Sequence, residues 1–341
     1  MRIGILTSGG DTPGMNAVIR GAFIMCQRQG YELLGISKGW KGLLDNLTTT
    51  IDSNIIDNID LGGTILGSSR TNPVNQENYL VKINDTINSN KLSGIIAIGG
   101  EDTLGAAKAL FDLGIPIVGV PKTIDNDLDA TDYTFGFNTA MTIVTEAIDR
   151  LKTTAKSHER VMVVEIMGRH AGWMTLHGGI AGGAHVILIP EFEVSKQVIC
   201  NIIKKRYDNG NKWGIIAISE GYGFSESNTE NMKKDEFGHV LLEKMSTGEK
   251  IAKMVENELG ITTRATVLGH VQRGGSPSPF DRVLSTQLGI SAVKLLQEKK
   301  FGYMPALRGT KIMEVQLADA VSKLKVVDSD SWEYAKILMN I

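Results

Sequence analysis

The sequence predicts an α/β protein with two mostly parallel sheets, and three observations carry that expectation. Short β-branched runs recur between amphipathic segments along the chain, the pattern of repeated βαβ units. At 341 residues with 42% hydrophobic side chains, the chain exceeds the usual single-domain size and can bury a large core. Loops rich in glycine and carboxylate follow several strand-like runs directly, and in open α/β sheets ligands bind at the carboxyl ends of strands.

Strands are expected at Arg2 to Thr7, Glu32 to Ser37, Gly94 to Ile98, Ile115 to Val120, Arg160 to Ile166, His185 to Ile189 and Gly214 to Ser219. Helices are expected at Gly14 to Arg28, Thr103 to Leu113, Thr139 to Thr153, Ser195 to Arg206, Gly248 to Leu259 and Val283 to Gln297. Ahead of the first helix, Asp11 or Thr12 is available for capping and Pro13 suits the first turn. A division near Phe135 to Asn138 separates a first sheet from a second. The run Tyr222 to His239 is polar and aperiodic, as in a solvated surface insertion.

The 36 basic and 38 acidic side chains leave a formal net charge of -2, so no bulk positive field is present to hold nucleic acid or an anionic membrane. Any anionic ligand must be met by local clusters. Cys26 and Cys200 lie far apart without CxxC spacing, which argues against zinc or a redox pair and for a reducing cytoplasm. With no cleavable leader pattern and no 18-residue apolar stretch, neither export nor membrane spanning is expected.

The run Thr7-Ser8-Gly9-Gly10-Asp11-Thr12-Pro13-Gly14 reads as a strand end, a glycine turn and a helix start. Its amides can face a phosphate, although no lysine stands where a Walker A loop requires one. Taken alone, it is equally a tight strand-to-helix turn. Two further turns, Gly99-Gly100-Glu101-Asp102-Thr103 and Pro121-Lys122-Thr123-Ile124-Asp125-Asn126-Asp127, each follow an apolar run and are expected side by side. Together they have the composition of a magnesium-phosphate site. Glu101 offers the carboxylate that Mg²⁺ prefers alongside phosphate oxygens, or it simply complements a helix dipole. A solvated turn accounts for the polar groups from Thr123 to Asp127, but not for Lys122 beside them.

Further along, Arg160, Arg169, Arg264 and Arg273, with His270, are expected on loops that follow sheet-like runs. Single arginines at such places are ordinarily surface residues with solvated heads. Four of them suggest capture of a sugar phosphate, because a guanidinium suits bidentate phosphate contacts.

These residues resemble the 6-phosphofructokinase family. The resemblance is carried by Leu6 to Asn16, Gly62 to Arg70, Pro121 to Asp127, Met167-Gly168-Arg169 and Gly269 to Pro277, and runs from about Ile3 to Leu296. It implies two Rossmann-like three-layer α/β/α domains with the active site in the cleft between them. Residues 1–137 with about 272–305 would form the donor domain, and 138–271 with about 306–341 the sugar-phosphate domain. Asp125 would take the proton from the 1-hydroxyl of fructose 6-phosphate, with Asp127 in the same catalytic loop. Thr123, Met167, Gly168, Glu220, His270 and Arg273 would bind that sugar phosphate, and Arg169 would steady the phosphoryl group in transfer. Arg160 and Arg264 would reach the sugar phosphate of a neighbouring subunit, making the active form a homodimer or homotetramer. Gly9, Gly10 and Arg70 would meet the donor, and Glu101 stands where the family usually has an aspartate on magnesium.

Asp102 and Lys122 point to the donor. Members of this family that use ATP commonly carry glycine at both positions, whereas members that use pyrophosphate carry an aspartate and a lysine. A carboxylate near the place of an α-phosphate repels it, and a compact ammonium welcomes pyrophosphate. The resemblance therefore implies a magnesium-dependent, reversible transfer from pyrophosphate, with an ATP-dependent kinase as the alternative and a catalytically silent sugar-phosphate sensor as a third reading. Where regulated relatives carry charges for a nucleotide effector, this chain has Ile24, His185, Asn209, Asn211 and Trp213, so little effector control is expected.

Overall fold

The computed structural model describes residues 1–223 and 246–341. Residues 224–239 of the expected insertion therefore lie outside the described residues. The chain divides into two compact units, one formed by Met1–Ile124, Leu128–Thr139 and Arg273–Leu324, the other by Asp125–Asp127, Ala140–Gln272 and Lys325–Ile341.

The first unit opens with β1 (Arg2–Thr7), α1 (Met15–Gln29), β2 (Glu32–Ile36), α2 (Gly39–Leu44) and β3 (Thr48–Thr50). It continues through α3 (Tyr79–Ser89), β4 (Gly94–Gly99), α4 (Glu101–Asp112), β5 (Ile117–Thr123) and the short β6 (Phe135–Gly136). These strands make a six-stranded sheet in the order β3-β2-β1-β4-β5-β6, parallel throughout except for β3 at its edge. The sheet is buried on both faces, as parallel sheets are. Ile3, Ile5, Ile96, Ile98, Val118 and Val120 point into one cluster with α1, while Leu6, Ile95, Ala97 and Ile117 point into another with Leu104 and Leu110 of α4. Each of the Ile, Val and Leu side chains among these contributes about 1.5–3 kcal/mol by burial.

Helix α5 (Phe137–Ser157) leads into the second unit, which holds β7 (Val161–Ile166), α6 (Trp173–Ala181), β8 (Val186–Leu188), α7 (Lys196–Asp208), β9 (Gly214–Ser219), α8 (Thr247–Leu259) and β10 (Thr263–Val267). Among the described residues its four strands are parallel, in the order β10-β7-β9-β8, and β7 and β9 are buried along their whole length. The chain then returns to the first unit as α9 (Pro279–Gln297), the antiparallel hairpin β11 (Tyr303–Arg308) and β12 (Lys311–Gln316), and α10 (Leu317–Ala320). It ends in the second unit with α11 (Ser329–Met339). Helices α1 and α9 touch backbone to backbone: a Cβ on Gly21 would lie 2.4 Å from the Thr286 carbonyl, and one on Gly289 would lie 2.2 Å from that of Val18.

Several expected boundaries move. Strand β5 runs on through Lys122 and Thr123, which pair with Phe135 and Gly136, so both residues belong to a strand end rather than to the turn. Helix α4 starts at Glu101, behind Gly100 as an extended cap; Glu101 and Asp102 thus lie in its first turn, where negative charge is favoured. Helix α1 starts at Met15 behind a left-handed Gly14 with no side-chain cap, leaving Asp11, Thr12 and Pro13 outside it. The return to the second unit comes at Lys325 rather than near residue 306, because β11 packs against β5 and its hairpin partner stays with it.

Candidate functional site

In the first unit the glycine turn after β1 is held by the segment 62–70. Thr7 Oγ1 donates to the Gly67 carbonyl at 2.8 Å, Ser68 Oγ donates to that of Gly9 at 2.5 Å, and the Gly9 amide donates to Ser69 at 3.0 Å. Buried Asn16 fixes the other end, donating to the carbonyls of Leu61 and Gly62 and accepting from the Ile65 amide. Arg70 ends the segment exposed to solvent. Gly9 adopts φ +79, a backbone conformation that glycine reaches without strain.

Strands β4 and β5 are neighbours, so the turns that follow them lie side by side as expected: a Cβ on Gly100 would sit 3.3 Å from the Lys122 carbonyl. Lys122 is only 4% exposed, and its ammonium donates to the Gly10 carbonyl at 2.5 Å. A buried ammonium needs such partners. Arg273 approaches the same glycine. Its Nη1 donates to the Asp11 carbonyl at 3.3 Å and would lie 2.6 Å from a Cβ on Gly10. Two cations thus meet a glycine turn, and half-buried Glu101 and Asp102 start the helix after the neighbouring strand. Arg273, expected on the sugar phosphate, stands against this turn because it opens the chain's return to the first unit.

In the second unit, the carboxyl ends of β10, β7 and β9 bring together most of the expected sugar-phosphate residues. The Glu220 amide continues the pairing by donating to the Ile166 carbonyl at 2.8 Å, and the Leu268 amide donates to that of Glu165 at 3.0 Å. Gly168 adopts φ +131 and a Cβ there would lie 2.7 Å from the Ala171 carbonyl, so the bend after Met167 requires glycine. The Gly168 amide faces Glu220 Oε1 at 3.5 Å. Burial pushes the Glu220 carboxyl up from its ordinary range, and the nearby Asp125 charge adds to this, against the Gly168 N–H and the Arg169 guanidinium. Asp125 and Asp127 are half-buried, and Asn126 between them is buried at φ +53, a left-handed backbone that asparagine tolerates better than most residues. His270 is exposed on the turn Gly269–Arg273.

Arg160 and Arg264 do not join this group. Arg160 precedes β7, and Arg264 lies inside β10 paired with Met162, so both sit at the amino ends of their strands, roughly 17–23 Å along the sheet from Met167. They were expected on loops after strands. Arg264 is exposed and paired with Glu256 at 3.1 Å.

Two residues missed by sequence reasoning tie these loops together, Asn16 and Gln272. Asn16 lies within the Leu6 to Asn16 run and Gln272 within the Gly269 to Pro277 run, which was the available signal. His185, Asn209 and Asn211 line a groove of about 620 Å³ together with Lys205 and Arg206, and Arg206 and Lys156 both lie over the Trp213 ring. Lys205 and Arg206 lie in the last turn of α7, and Lys156 in that of α5.

Among the described residues no group of three or more His, Cys, Asp or Glu could hold a metal, and no helix is long and apolar enough to cross a membrane. Glu101, half-buried at the start of α4, offers one carboxylate, the donor type that Mg²⁺ takes alongside phosphate oxygens and water.

Residues 2–296 match the family model described as Phosphofructokinase. The chain is 49% identical over 338 residues to a protein of Streptomyces coelicolor named pyrophosphate--fructose 6-phosphate 1-phosphotransferase, covering 98% of each. It is 45% identical to a protein of Corynebacterium efficiens named ATP-dependent 6-phosphofructokinase, covering 99% of each. A crystal structure of Pichia pastoris phosphofructokinase in the T-state superposes with a TM-score of 0.83 at 27% identity, over 99% of this chain and 36% of that one.

Proposed function

Because this chain belongs to the phosphofructokinase family, we propose that it transfers a phosphoryl group from pyrophosphate to the 1-hydroxyl of fructose 6-phosphate, reversibly and with magnesium, yielding fructose 1,6-bisphosphate. One observation carries the choice of donor: buried Lys122 meets the Gly10 carbonyl beside the strand that leads into Asp102. A lysine there binds a compact diphosphate, and the Asp102 carboxylate repels the α-phosphate that ATP would bring.

In this reading the first unit serves the donor, through Gly9, Gly10, Arg70 and Lys122, and the second serves the sugar phosphate, through Met167, Gly168, Glu220 and His270. Thr123 contributes from the end of β5, and Arg273 acts beside Gly10. Lys122 and Asp125 are three residues apart, so the covalent chain holds them within about 11 Å of each other. Asp125 accepts the proton of the attacking hydroxyl, with Asp127 beside it, and Arg169 neutralises charge on the moving phosphoryl group. Magnesium, held by Glu101 and the donor oxygens, would supply further neutralisation when bound. Arg160 and Arg264, remote from Met167 in their own chain, reach the sugar phosphate of a second subunit, so the active form is a homo-oligomer in the cytoplasm.

The ATP-dependent relative is nearly as similar as the pyrophosphate-dependent one, so the deciding experiment is a donor assay. With magnesium and fructose 6-phosphate, pyrophosphate is expected to support turnover at least a hundredfold better than ATP in kcat/KM. Preference for ATP would overturn the donor assignment, and binding of the sugar phosphate without turnover of either donor would revive the sensor reading.

A further inference from the structure

The segment after β7 carries Met167, Gly168 and Arg169, while the turn after β10 carries Gly269 and His270. One side chain joins them. Gln272 is 0% exposed; its Oε1 accepts from the Met167 amide at 3.2 Å, and its Nε2 donates to the Gly269 carbonyl at 2.9 Å. A primary amide carries an acceptor and a donor on one rigid plane, so this side chain fixes the separation of the two segments. Losing it would leave two peptide groups without these partners, a strong incentive for either segment to shift. Two ties between these strand ends, from Leu268 to Glu165 and from Glu220 to Ile166, are made by backbone and survive any side-chain change.

We propose that Gln272 is a positioning residue for the sugar-phosphate acceptor, setting the Met167–Arg169 segment against His270 so that both address one substrate. This rests on the fructose 6-phosphate reading above. A merely structural glutamine would lower stability when replaced and leave ligand affinity alone; a positioning residue changes affinity for one substrate only.

The test uses Q272M, which keeps size and removes both hydrogen bonds, and Q272E, which keeps the acceptor for Met167. Fructose 6-phosphate affinity is measured by calorimetry on the full chain, with kcat, both KM values and thermal midpoints alongside. Q272M is expected to weaken fructose 6-phosphate binding about ten- to a hundredfold and to lower kcat, with KM for pyrophosphate changed less than twofold. Q272E is expected to recover part of that loss. Should Q272M fold poorly, the ratio of the two KM values in Q272E carries the same test. Unchanged sugar-phosphate affinity with a lowered thermal midpoint would overturn the inference, as would equal losses for both substrates. Wild-type protein that binds no fructose 6-phosphate would instead overturn the functional reading, and this inference with it.

Discussion

The ammonium of Lys122 and the carbonyl oxygen of Gly10, 112 residues apart in sequence, lie 2.5 Å from each other. A neutral carbonyl is a weaker partner for an ammonium than a phosphate oxygen, so incoming pyrophosphate can draw the lysine onto itself. Replacement of Lys122 by Met should lower kcat/KM for pyrophosphate about 10²–10³-fold, the range for losing one preorganised contact to developing charge. KM for fructose 6-phosphate should change little. Steady-state kinetics with each substrate varied in turn checks both halves.

Asp102 opens helix α4 beside Glu101, and its proposed role is to exclude. Asp102→Gly should raise kcat/KM with ATP at least tenfold, about 1.4 kcal/mol of removed repulsion. Unchanged ATP use would refute the role given to this carboxylate.

For Asp125, the half-buried neighbour whose charge raises Glu220, substitution by Asn keeps shape and removes the base. Turnover should fall about 10²–10⁴-fold, while circular dichroism and the thermal midpoint stay near wild type. A loss of activity that tracks unfolding would count against the assignment.

Gly10 has no room for a side chain while Arg273 keeps its place, since Nη1 would lie 2.6 Å from a new Cβ. Gly10→Ala should therefore displace the guanidinium and raise KM for pyrophosphate several-fold with little effect on stability, because a flexible side chain can move. Equal KM values in mutant and wild type would show that the Arg273 position does not matter to the donor.

His185 has its pKa lowered to about 4, first by burial and then by Arg206 and Lys152. Its Nδ1 accepts the Ile215 amide at 2.9 Å, which requires the neutral ring. The group binds its proton more readily unfolded than folded, so stability is full above about pH 6.5 and declines as pH falls toward 4. The decline should be about 1–2 kcal/mol after allowing for solvent screening. Urea titrations between pH 7 and 4.5 should show it in wild type and less of it in His185→Gln.

Strand cores were legible because parallel strands are apolar on both faces: all six residues of β4 and of β9 are buried. Strand β10 was missed because Arg264 and Val267 are exposed and only Thr263 is fully buried, so neither alternation nor a continuous apolar run marks it. Hairpin β11–β12 escaped notice for a related reason, since β12 is largely exposed. At the candidate site, glycine-rich turns stood out, as did the charged residues within them. What could not be read was which strand end each residue occupies. Arg160 and Arg264 share a residue type with Arg169, and only strand register places them at the opposite end of the sheet. Gln272 and Asn16 act through contacts between distant segments, which a local pattern does not encode.

The backbone contact between α1 and α9, at Gly21 against Thr286 and Gly289 against Val18, has a consequence during synthesis. A ribosome must add roughly 260 residues after α1 before α9 exists, tens of seconds at usual elongation rates. Through that interval the apolar side of α1 on the nascent chain lacks its final cover, which leaves it open to non-native contacts. Slowed translation downstream of α1 should then lower the soluble yield of the full-length chain.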